Sequence, residues 1–169
     1  MERRTFVGGL PIAAGMVGVI SLSAEPSSLD NEKHKAARWR LQNARAFFPK
    51  GEFVRAGDLL YQLGIASQLA LTACVVADGW TDEDCRRRIG LDVGKAHFFA
   101  KAGGLQFDSD SFARIVPLLS PYGRWRSPAM GGHIDAGTID AGAAKTAVSQ
   151  LLIAVRSHLV GGEGKAAGR

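Results

Sequence analysis

The sequence predicts an all-α protein, a bundle of about five helices around an antiparallel helical hairpin over residues 54–104. Three observations carry this. Apolar residues recur at three- and four-residue intervals in each long segment. Capping residues and Gly or Pro stops punctuate those segments. No run reads convincingly as a strand.

The hairpin is hinged at Asp78-Gly79-Trp80-Thr81. On its first arm Leu59, Leu60, Leu63, Ala66, Leu69, Ala70, Ala73, Cys74 and Ala77 keep the helical period. The second arm starts at Thr81, with Asp84 three residues on completing a short-armed capping box. Cys85, Ile89, Val93, Ala96 and Ala100 then share one face of a single helix, and Gly103-Gly104 stops it.

Before the hairpin, Asp30 or Asn31 caps a helix over about 31–48, with Ala37, Leu41, Ala44, Phe47 and Phe48 on its apolar face and Pro49 at its end. After it, the Asp108-Ser109-Asp110 cluster caps a shorter helix over 110–119, where Pro117 predicts a kink or an early stop. Residues 120–138 hold many glycines and prolines and read as the longest irregular stretch. A last helix over about 138–160 carries Ile139, Ala143, Ala147, Leu151, Leu152, Val155 and Leu159 on one side, and 161–169 reads as a flexible glycine-rich tail. Residues 25–160 are expected to form a single helical domain.

The chain has 169 residues, enough for one sizeable core, and 46% hydrophobic against 22% charged residues is the balance of a globular domain. The formal charge of +5 is compatible with an anionic ligand, nucleic acid or an acidic protein surface. Nucleic acid is disfavoured, because the one dense basic run, Arg86-Arg87-Arg88, follows Asp82-Glu83-Asp84. The i,i+4 pairs Asp82–Arg86 and Asp84–Arg88 are expected to neutralise it as a solvated helix face.

The amino terminus is organised differently. Arg3-Arg4, one variable residue, Phe6 and an aliphatic Val7 precede an apolar stretch to Leu22, and Ser21-Leu22-Ser23 offers small side chains for cleavage. Residues 1–24 resemble a twin-arginine export signal, with Glu2 and Gly8 departing from the usual pattern. The resemblance implies a periplasmic or secreted protein whose mature chain begins near Ala24 or Glu25. An uncleaved terminus would instead anchor it, the membrane being reached only through that segment. Elsewhere no segment is expected to span a bilayer, since Gln62, Ser67, Gln68 and Thr72 interrupt the most apolar arm.

Cys74 and Cys85 stand almost symmetrically about the hinge, on the apolar stripe of each arm. Antiparallel arms would bring them face to face, and an exported chain commonly pairs two cysteines, so a disulfide is expected.

The tripeptide Arg-Trp-Arg occurs twice, as Arg38-Trp39-Arg40 on a helix and Arg124-Trp125-Arg126 in the long loop beside Tyr122. Guanidiniums flanking an indole offer stacking and bidentate hydrogen bonds to an anion, so these residues, with His133, form the candidate binding set. The alternative is two packed tryptophans with snorkelling arginines. The histidines, His34, His97, His133 and His158, make no ligand pair at helical spacing, and neither a metal site nor a cofactor is expected. Gly142-Ala143-Ala144-Lys145-Thr146 ends like a phosphate-binding loop, but Ile139 and Ala144 stand where glycines are required.

Three functional readings follow. The preferred one is an exported helical accessory or binding protein, a small subunit or escort of a larger exported enzyme. In signal, size and helicity it resembles the small subunits of some membrane-associated flavin dehydrogenases. The second is a small exported enzyme or ligand-binding domain with its site at the 120–135 loop, where Tyr122, Arg124, Arg126, His133 and Asp135 are the candidates. The third is a cytosolic basic protein that binds nucleic acid.

Overall fold

The computed structural model describes residues 28–52, 55–126 and 139–166. These form α1 (Ser28–Phe47), α2 (Ala56–Ala77), a short α3 (Asp82–Asp84) continuous with a π-helical turn (Cys85–Ile89), α4 (Val93–Ala102), α5 (Asp110–Leu119), a 3-10 turn (Tyr122–Arg126) and α6 (Ala141–Ala166). No strand occurs among the described residues, and the fold is all-α.

The bundle is built around α2, which packs against α1, α4, α5, the 3-10 turn and α6. Its 22 residues are long and apolar enough, by length and composition, to cross a membrane, contrary to expectation. In the bundle, however, 78% of its most apolar window is buried by the other helices. Polar residues at 67, 68 and 72 are buried with it, and Thr72 Oγ1 turns back to the Gln68 carbonyl at 2.8 Å. Ala37, Leu41 and Ala44 of α1 seal one side, and Val148, Leu151, Val155 and Leu159 of α6 seal another.

The expected hinge is present. Gly79 takes a φ of +99°, and Thr81 and Asp84 form the capping box in both directions, Asp84 N–H to Thr81 Oγ1 at 3.1 Å and Thr81 N–H to Asp84 Oδ2 at 3.0 Å. The second arm, however, is not one helix. From Cys85 the turn widens until the Gly90 N–H donates to the Cys85 carbonyl, five residues back, at 3.0 Å. Gly90 leaves it with φ +63° and ψ −130°, open only to a residue without a Cβ. Asp92 then caps α4 through the Lys95 N–H at 3.0 Å. Ile89 and Val93 are both buried, so the apolar period runs unbroken across the interruption and hides it.

Two further boundaries differ. Pro117 lies inside α5 without ending it; the carbonyls of Pro117 and Leu118 are capped from the 3-10 turn. At the carboxyl end, α6 continues to Ala166 through Gly161, Gly162 and Gly164, residues expected to form a tail. Glycine weakens a helix by about 1 kcal/mol relative to alanine but stops it only where it turns left-handed.

The export-signal residues Arg3, Arg4 and Phe6, together with His133 and Asp135, lie outside the described residues.

Candidate functional site

Both cysteines are buried, free thiols, so the expected Cys74–Cys85 bridge is not formed. The reason is angular. Cys85, on the π turn, faces Gln68, Leu69 and Thr72 of α2. Cys74 lies two residues beyond Thr72, roughly 200° further round the helix, and faces away. Burial pushes the Cys74 thiol up to about 12, and the Asp78 carboxylate adds to the rise. Burial also raises Cys85. Neither is poised as a nucleophile.

The two Arg-Trp-Arg segments are not brought together. In the second, Trp125 is buried against Gly57 and its Nε1 donates to the Leu118 carbonyl at 2.8 Å. Arg124 Nη2 donates to the Pro117 and Leu118 carbonyls at 2.7 and 3.0 Å, its guanidinium 4.6 Å from the Trp125 ring centre. Tyr122 fills a notch at Gly64 and meets Tyr61 edge-on at 6.0 Å. This copy is therefore engaged in closing the end of α5; Arg126 alone points outward. In the first copy, successive side chains leave α1 about 100° apart. Arg40 reaches Thr72 of α2, Trp39 is 64% exposed and Arg38 borders α6. From Gly57 to Thr72 is about 22 Å along α2 at 1.5 Å per residue, so no one ligand of small size spans both.

What the fold does assemble is an open groove of about 440 Å³ between α1 and α6. Arg38 and Arg45, two turns apart on α1, and Arg156 of α6 rim it. Leu41 and Leu159 supply its apolar floor, and Gln42 adds a polar edge. Ile153 and Val160, a heptad apart on α6, are 62% and 61% exposed at its side. Sequence reasoning named Arg38 but not Arg45 or Arg156, since charges on the outer faces of two helices look like ordinary solubilising residues until the helices are placed side by side.

A second hollow, about 250 Å³, lies between α1, α2 and the π turn. Arg40 enters it with 14% of its side chain exposed, donates to Thr72 Oγ1 at 3.3 Å and pairs with Asp82. Gln68 Nε2 donates to the Gly90 carbonyl, while its Oε1 is buried with no partner. The π turn also resets the ion pairs. Glu83, not Asp82 or Asp84, takes both Arg86 and Arg87, and Arg88 lies over the Trp80 ring at 4.2 Å. Hydrogen bonds from Arg86 and then Arg87 hold the Glu83 carboxyl below the usual range.

No group of three or more His, Cys, Asp or Glu side chains arranged to hold a metal occurs among the described residues. His97 stands edge-on to Phe112 and Phe107 at 5.3 and 6.2 Å, with Nε2 unpartnered, and burial holds its imidazole below the ordinary histidine value. No protein-family model matches the chain, and neither a curated protein nor a solved structure matches it.

Proposed function

We propose that this chain is an exported helical accessory protein that docks an acidic, amphipathic helix of a larger exported partner in the groove between α1 and α6. The observation that carries this reading is the composition of the groove: Arg45 of α1 and Arg156 of α6 flank an apolar floor of Leu41 and Leu159. Positions 38, 41 and 45 on α1 and 156, 159 and 160 on α6 follow helical spacing, so their side chains form ridges between which a third helix packs. Such a helix would set leucine-like residues on Leu41, Leu159 and Val160 and its carboxylates on Arg45 and Arg156. The resemblance of residues 1–24 to a twin-arginine signal supports the exported setting, because that route carries folded proteins, often with partners already attached.

The test has two arms. In the first, the protein is expressed with its native amino terminus in a bacterial host, and the intact mass of each fraction is measured. A periplasmic species beginning near residue 24 or 25 is expected; a full-length cytosolic species would sink the export reading. In the second, a fluorescent helical peptide with glutamate and leucine at i,i+4 spacing is titrated by anisotropy against the wild type and an Arg45→Glu/Arg156→Glu variant. Reversing both charges should weaken binding at least tenfold, and added salt should weaken the wild type. Equal binding by the variant, or by a lysine-substituted peptide, would overturn the groove as a docking site.

A further inference from the structure

The hollow beside the π turn is walled in part by buried polar side chains of α2. Residues 67, 68 and 72 of the core helix are polar yet buried, where apolar side chains would pack at no desolvation cost. Gln68 is only 8% exposed, forms part of the hollow's wall and leaves Oε1 without a hydrogen-bond donor. A buried acceptor left in that state is destabilising unless something donates to it. The turn that closes the hollow is π-helical, a geometry that is rare in proteins and concentrated at functional sites. Its Gly90 carbonyl holds the Gln68 amide, so the amide and the π turn form one unit.

We propose that this hollow binds a free α-amino acid with a small side chain. The charges around it are those a zwitterion needs. Arg40 and Arg86 supply guanidiniums for the carboxylate, each keeping N–H groups beyond those used by Thr72, Asp82 and Glu83. Asp82, 89% exposed, is free to swing from Arg40 to the ammonium. The Gly90 carbonyl, which holds the Gln68 amide on one lone pair, takes an ammonium hydrogen on the other, and a tilt of the amide that leaves Nε2 in place brings Gln68 Oε1 to a second. Leu69 and Cys85 provide apolar wall for a small side chain in the hollow of about 250 Å³. Arg40 leaves α1 in a different direction from Arg38 and Arg45, so this site is independent of the α1–α6 groove, and either can fail alone.

The experiment is a titration of the ¹⁵N-labelled full chain with L-alanine, propionate and ethylamine in parallel. The last two are alanine without its ammonium and without its carboxylate. The side-chain amide of Gln68 and the Arg40 Nε–H should shift saturably with alanine, with propionate and ethylamine at least tenfold weaker. Gln68→Leu should keep the fold and lose most of the alanine response, and Arg40→Gln should do the same. If propionate matches alanine, the hollow is a plain anion pocket and the proposal is wrong. It is equally wrong if alanine leaves the Gln68 and Arg40 resonances unmoved, an outcome read on the wild type and independent of any variant's folding.

Discussion

Gly64→Ala probes the contact that seats the 3-10 turn on the core helix. Gly64 lies in the interior of α2, where alanine normally improves helix stability by about 1 kcal/mol. Here a Cβ would fall far inside contact distance of Tyr122 Cβ, at 3.0 Å from Tyr122 Cγ and at 3.2 Å from the Leu119 carbonyl oxygen. None of these atoms is the free end of a flexible side chain. Relief requires moving the backbone of the 3-10 turn, which is itself pinned by Trp125 and Arg124 on the end of α5. Overpacking of this kind costs about 1–3 kcal/mol, more where backbone must shift. Taking the upper part of that range, about 2–3 kcal/mol, and setting the propensity gain of about 1 kcal/mol against it, the expected net loss is about 1–2 kcal/mol, or roughly 2–8 °C in Tm for a chain of this length. Urea unfolding followed by far-UV circular dichroism and tryptophan fluorescence measures it. Gly57→Ala, on the same helix but meeting only Trp125 Cε3 at 3.8 Å, is the control and should be neutral or slightly stabilising. Tyr122→Ala does not relieve the clash, because Cβ remains. Tyr122→Gly does, and Gly64→Ala should cost far less in that background. A Gly64→Ala protein as stable as the wild type would refute the packing of the 3-10 turn against α2.

Two other outcomes follow from buried groups. Burial lowers the His97 pKa in the folded state, so its share of stability is complete above an unfolded value of about 6.5 and is lost as pH falls below that. His97→Phe should therefore shrink the loss of urea midpoint between pH 7 and pH 5, and an unchanged loss would show that His97 is not its source. The raised thiols of Cys74 and Cys85 should leave both unreactive toward a thiol reagent at pH 7.5 in the native protein and both titratable in urea. An intact mass two hydrogens light without reductant would contradict the free-thiol arrangement.

Local rules in the sequence determined the helical class, the hinge at 78–81, the Thr81–Asp84 box and most of the apolar faces of α1, α2 and α6, because each depends on residues within a turn or two; Phe47 and Ala143, expected on those faces, are exposed. The period of 3.6 says which residues face inward whatever they pack against. It does not register a change of pitch, and so Ile89 and Val93 masked the break at Gly90, the one local signal being that glycine itself. The expected disulfide failed for another reason: symmetry about the hinge does not say which way round α2 Cys74 faces, and it faces away from Cys85. The sites were harder to see. Arg45 and Arg156 are more than a hundred positions apart, and Gln68 looks like an interruption of an apolar arm. Only the packing of α1 beside α6, and of the π turn over α2, turns those charges into a rim and that amide into a buried acceptor. Burial and neighbouring charge are properties of the assembled bundle, whereas periodicity and capping belong to the chain.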